Sequence, residues 1–148
     1  MSLVDLDRRP HRLEYSWICT DGGRASSTRP KQKNDCTVRA LAIARNLPYD
    51  EAYDLLRNAG RKCSRKFDFV KWMDTQPWST KISFPAVKGQ RRMTPAQFCR
   101  DFPKGTFILR VTNHVLVVKD GFVYDAFENR PDRCVYACWS VSPSWTAR

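Results

Sequence analysis

A chain of 148 residues that is 42% hydrophobic and 12% aromatic has the make-up of one globular domain, able to bury about two-thirds of the surface its unfolded form exposes. It has no apolar run of membrane-spanning length, and MSLVDLDRRPHRLEYSW at its start lacks the apolar core of a secretory signal, so a cytoplasmic, reducing compartment is expected. A formal net charge of +11, gathered in RRPHR, RPKQK, RKCSRK and KGQRR, fits an acidic partner, whether nucleic acid, an acidic protein surface or an acidic peptide; with no spanning run, no membrane is expected.

Taken in chain order, residues 1–30 are polar and proline-punctuated and read as an irregular N-terminal extension, with LEYSWIC at 13–19 as the only strand candidate. Residues 31–148 read as a single domain. Asp35 is placed to cap a helix that opens at Cys36 and runs to about Asn46; nearly every position is apolar except Thr37, Arg39 and Arg45, so most of its sides should be buried. DEAYDLLRNAG at 50–60 carries acids in its first turn and Gly60 after its last, and should pack Ala52, Leu55 and Leu56. KFDFVKWMD at 66–74 reads as a short helix and 75–93 as strand fragments and loop. TPAQFCRDF at 94–102 reads as a helix capped by Thr94 with Pro95 at its first position.

The C-terminal third changes character. GTFILRV, HVLVVK, FVYDAF and CVYACWSV are strands rich in valine and aromatics, and Asp120-Gly121 is a preferred two-residue hairpin turn. The expectation is an α+β domain, with helices on one face of an antiparallel sheet of about four or five strands.

The hairpin makes a geometric prediction. If Asp120 and Gly121 form the loop, Lys119 pairs with Phe122, and positions 118, 116 and 114 oppose 123, 125 and 127. His114 is then the diagonal neighbour of Asp125 on one face, about 7–8 Å away between Cα atoms. An imidazole and a carboxylate bridge that gap, and a hydrogen bond between them fixes the histidine tautomer. On its own such a pair is ordinary strand decoration of little energetic consequence.

Cys36 gives the pair a meaning. Six cysteines (19, 36, 63, 99, 134 and 138) include no CxxC spacing, so no zinc knuckle and no cofactor is expected. Five of them read as small buried hydrophobes. The sixth, Cys36, heads a helix, where unpaired backbone N–H groups favour its thiolate, with Lys31 and Lys33 nearby and Asp35 capping the helix away from the sulfur. Gln32 on the preceding loop can join the Cys36 backbone N–H as an oxyanion donor, with Asn34 as the competing side chain.

The series Gln32, Asp35-Cys36, His114-Val115-Leu116-Val117-Val118, Asp120-Gly121 and Asp125 resembles the papain-like cysteine peptidase superfamily, most of all its bacteriocin-processing (double-glycine leader) peptidase group. Ubiquitin-like-protein proteases share a similar Asp-Cys helix start. The resemblance spans residues about 30–127 and implies a papain-like fold in which Cys36, His114 and Asp125 form the catalytic triad. This chain has Thr37 where the family usually has glycine, a shorter Gln-to-Cys spacing, and its acid directly after the hairpin. The function expected is a cysteine peptidase or isopeptidase-type thiol hydrolase acting on a peptide or protein, or an acyl transferase using the same residues. The alternative is a non-catalytic basic module contacting nucleic acid or an acidic protein, with Trp17, Trp72, Trp78, Trp139 and Trp145 able to stack on bases if exposed.

Overall fold

The computed structural model describes residues 15–84, 86–129 and 133–142; RRPHR, Trp145 and residues 13–14 of the first strand candidate lie outside them. The chain is a mixed α+β protein. Among the described residues, four α-helices, α1 (Cys36–Arg45), α2 (Tyr49–Asn58), α3 (Phe69–Asp74) and α4 (Pro95–Asp101), accompany six strands, β1 (Ser16–Cys19), β2 (Ser79–Ile82), β3 (Thr106–Val111), β4 (His114–Lys119), β5 (Phe122–Asp125) and β6 (Val135–Val141). The strands lie in the order β1-β5-β4-β3-β6-β2.

The hairpin register is the one its turn demands. Lys119 pairs with Phe122, Val118 with Val123 and Val117 with Tyr124. Asp120 and Gly121 have φ of 49° and 81°, the two positive values that match a tight turn to the twist of its strands. The Asp120 carboxylate also accepts from the Gly105 N–H at 2.9 Å, tying this turn to the start of β3.

Three expectations about the sheet need correction. It has six strands, and it is mixed, because β1 joins β5 in parallel with Ser16 opposite Phe122 and Cys19 opposite Asp125. Its helices cover both faces. Val115, Val117, Ile108 and Trp139 face the layer containing α1, α2 and α3, while Leu109, Leu116, Val118 and Cys138 face Phe98 and Cys99 of α4. Double coverage explains why HVLVVK is apolar at every position but its two ends instead of alternating.

Residues 15–30 are part of this fold rather than an appendage. Besides β1, Arg29 pairs with Asp50 at 2.7 Å and Thr28 Oγ1 donates to the same carboxylate at 2.8 Å, clipping the segment to α2. Gly22 (φ +70°) lets the backbone run against α1, where a Cβ would meet the Arg39 carbonyl at 3.1 Å.

The helices follow their sequence signals with two exceptions. Thr94 and Gln97 form a reciprocal capping box at the start of α4, and Asp68 caps α3 by accepting from the Lys71 N–H. α1 buries Val38 and Leu41 completely, each such side chain contributing about 1.5–3 kcal/mol. In α2, however, Leu55 faces solvent, and Tyr49 with Ala52 and Leu56 makes the buried stripe. At α1, Asp35 makes no side-chain cap, because its carboxylate is drawn into a buried ion-pair network instead.

Candidate active site

The site forms where the start of α1 meets the ends of β4 and β5. Leu116 and Val118, two and four residues beyond His114, face the α4 layer, while α1 lies on the opposite side of the sheet. His114, the first residue of β4, shares a cleft with Cys36, and Asp125, the last residue of β5, reaches His114.

His114 and Asp125 are both buried, and His114 Nε2 lies 2.5 Å from Asp125 Oδ2. This is the hydrogen bond that the hairpin register predicts. With Nε2 so engaged, Nδ1 is the ring nitrogen left for the Cys36 thiol, which lines the same cleft as the imidazole. Phe127 lies over the histidine, with ring centroids 5.1 Å apart.

The electrostatics of the three groups are coherent. Burial pushes the Cys36 thiol up, but the hydrogen bond and charge of His114, the Val115 N–H and the Arg39 guanidinium together hold it below the ordinary cysteine value. Burial also works against the imidazolium, yet hydrogen bonds to Asp125 and Cys36 raise His114 above the ordinary histidine value. Asp125 is lowered despite its burial, by His114, by Asn129 and by the Ala126 N–H. Cysteine moved down and histidine moved up favour a thiolate–imidazolium pair.

Support for the acid comes from residues that sequence reasoning did not single out. Asn129, itself buried, donates from Nδ2 to Asp125 Oδ2 at 2.8 Å, and the Ala126 N–H donates to Oδ1 at 2.7 Å. Tyr15 holds the same loop, accepting from the Asn129 N–H at 2.7 Å and donating to its carbonyl at 2.8 Å. The Trp17 indole and the Thr20 N–H both donate to the Asp125 carbonyl. The first described residues therefore brace the acid.

Arg39 links that acid to the helix start. It pairs with Asp35 through one nitrogen and lies 3.6 Å from Asp125 Oδ1 through another. Asp35 receives further bonds from Arg24 at 3.2 Å and from the Tyr49 hydroxyl at 2.7 Å. A buried carboxylate needs such partners, and they account for the missing cap. The i, i+4 spacing of Asp35 and Arg39 inside an apolar helix was the readable signal.

The loop ahead of Cys36 separates two clefts. One, of about 420 Å³, contains Cys36 and His114 together with Asn34, Thr37 and the 61–70 segment. Gln32 lines the other, beside Phe127 and Arg24, and its Nε2 donates to the Lys33 carbonyl at 3.4 Å. Asn34, held at φ 52°, lines both clefts, and its side chain donates to the Cys63 carbonyl at 3.3 Å. Arg61, buried, pins this loop by donating to the Asn34 carbonyl at 2.8 Å. Arg39 joins His114 in lowering the thiol through its charge.

The other cysteines divide. None of the six is in a disulfide; Cys99 and Cys138 are buried as expected, but Cys19 and Cys63 are exposed and Cys134 is half-buried. Exposure of Cys63 follows from its place at the rim of the Cys36 cleft. Among the described residues no cluster of His, Cys, Asp and Glu is arranged to hold a metal ion, and no helix is long and apolar enough to cross a membrane. Of the tryptophans, Trp139 is buried, with its indole donating to Asp74, and Trp72 and Trp78 pack against each other half-buried.

No protein-family model, curated protein or solved structure matches this chain.

Proposed function

We propose that this protein is a thiol hydrolase of the papain-like type that cleaves peptide or isopeptide bonds, with Cys36 as nucleophile, His114 as proton carrier and Asp125 as its orienter. The observation that carries the reading is the buried hydrogen bond between the His114 imidazole and the Asp125 carboxylate, with the Cys36 thiol lining the same cleft as that histidine.

The chemistry balances on these three groups. The Cys36 thiolate attacks the carbonyl carbon, forming a C–S bond while the carbonyl electron pair moves onto oxygen. The unpaired N–H groups of the first turn of α1, which no Asp35 side chain occupies, are the oxyanion donors. Asn34 is better placed than Gln32 to add a side-chain donor, because it shares the cleft with Cys36. Collapse of the intermediate breaks the C–N bond, and His114 gives its proton to the leaving amine. Water, or an amine in the transferase variant of the reaction, then gives its proton to His114 as it attacks the thioester, and the C–S bond breaks to return the thiolate.

The test is the pH dependence of iodoacetamide alkylation at Cys36 in the intact chain and in His114→Ala. Reactivity that persists below pH 7 and moves to the ordinary cysteine range, near pH 8.5, in the variant supports the reading. A Cys36 with one unperturbed titration in both proteins refutes it and leaves the basic binding module as the function.

A further inference from the structure

The cleft around Cys36 is strongly one-signed. Lys62, Arg65, Lys66 and Arg110 line it, and all four are exposed. Among the described residues none of them makes an ion pair with a protein carboxylate. The single carboxylate in the lining, Asp68, is committed to the Lys71 N–H as the cap of α3. Arg61 adds a fifth cation, engaged with the loop carbonyls. Half-buried Phe67 and Val70 supply an apolar patch in the same cleft.

Like charges collected in one concavity repel each other and raise the local concentration of an oppositely charged ligand. Here they surround a nucleophile. We propose that the substrate segment taken by this cleft is an acidic polypeptide, with carboxylate side chains flanking an apolar residue near the bond that Cys36 attacks, a proposal that rests on the thiol-hydrolase reading. A polypeptide is the favoured polyanion for two reasons. The hydrolase reaction proposed above needs an acyl carbon, which a nucleic acid backbone does not offer. The aromatics of the cleft, Phe67 and Phe69, are half-buried and buried, so none stands out as a platform for stacking bases.

The full chain is treated with three chloromethyl ketone peptides of equal length, in which glutamate, glutamine or lysine flanks a central leucine. In each the Cys36 sulfur forms a bond to the methylene carbon and chloride leaves, and the rate at Cys36 is followed by mass spectrometry. The expected order is glutamate, glutamine, lysine, with glutamate ahead of glutamine by about tenfold at low salt and by less than about twofold at 0.5 M salt, because exposed charges are screened. In Lys62→Glu/Arg65→Glu/Lys66→Glu the order reverses. Equal rates for the three peptides in the intact chain overturn the proposal without recourse to the variant, as does an order that the variant leaves unchanged. Protection of Cys36 from the glutamine peptide by oligothymidylate, but not by oligoglutamate of equal charge, also overturns it and assigns the cleft to nucleic acid. Iodoacetamide separates the two levels: a reactive Cys36 thiolate with equal peptide rates sinks only the substrate proposal, whereas an unreactive Cys36 sinks both.

Discussion

In the layer covered by α4, Cys99 and Cys138 lie among Phe98, Phe107 and Leu109, and burial drives their thiols up, to about 11 and about 12. At the start of α1, Cys36 also suffers the cost of burial, yet its thiol is held down by His114, the Val115 N–H and Arg39. The same side chain, enclosed by the same sheet, is inert on one face and ionisable on the other. Burial alone makes a cysteine a hydrophobe; burial beside fixed, oppositely charged partners makes it a reagent. The polar groups that achieve this, Asp35, Arg39, His114, Asp125 and Asn129, are themselves buried and cluster at one end of the sheet.

The largest test of this contrast is to delete a cysteine from each layer. Cys36→Ala is expected to lower turnover of a fluorogenic peptide amide by about 10⁴-fold or more, the scale of losing a nucleophile. Cys138→Ala should leave turnover within about twofold while costing about 1 kcal/mol of stability, typical of a small core truncation. Equal losses of activity would mean that the two layers are not chemically distinct.

The next test loads the apolar layer. Phe98 stacks on Phe102 at 4.5 Å and meets Phe107 edge-on at 5.0 Å, so Phe98→Ala should cost about 3–5 kcal/mol in urea unfolding. The alkylation rate of Cys36 in the folded variant should stay within about twofold of the parent. Loss of that reactivity would show the layers to be coupled through β3 and β4.

Arg39 probes the polar layer. Arg39→Met keeps the stem packed but leaves Asp125 and Asp35 without their shared cation. Breaking a buried pair costs about 3–5 kcal/mol, and the Arg24 and Tyr49 contacts that Asp35 retains put the expected loss at about 3. A purely structural residue would do no more. Because the guanidinium also helps to lower the Cys36 thiol, the alkylation profile of the variant should move to higher pH.

Local signals and distant ones were unequally readable in the sequence. Asp120-Gly121 encodes its own turn, and from that turn the pairing of Lys119 with Phe122 and the meeting of His114 with Asp125 follow by counting. Thr94-Pro95 and Gln97 likewise encode the start of α4 within four residues, but nothing in that stretch says which face of the sheet it covers. Asp35 shows the opposite case. Its local preference for capping is worth about 1 kcal/mol, and the i+4 neighbour Arg39 together with the more distant Arg24 and Tyr49 outbids it. The parallel pairing of β1 with β5 joins positions more than a hundred residues apart, beyond the reach of any local pattern, and it carries the Tyr15 and Trp17 bonds that steady the acid. Asn129 sits in an irregular segment, where no periodicity marks it.

Asn129 also supplies the smallest and sharpest test. Its Nδ2 bond to Asp125 is one reason that carboxylate is lowered below the usual aspartate range, so Asn129→Ala should cost about 1.5–3 kcal/mol at neutral pH, the worth of a hydrogen bond to a charged group. A group whose folded pKa is depressed stabilises the fold fully above its unfolded value, about 3.9 for aspartate, and that contribution fades as pH falls through the folded value. The cost of Asn129→Ala should therefore be greatest near pH 6 and shrink steadily as urea unfolding of both proteins is repeated down to about pH 2. Part of the cost will remain at the acid end, because Asn129 also receives a bond from Arg133 at 3.1 Å. A cost that does not change with pH would mean that Asn129 braces the loop without acting on the charge of Asp125, and would confine the electrostatic design of the polar layer to Arg39, His114 and the backbone.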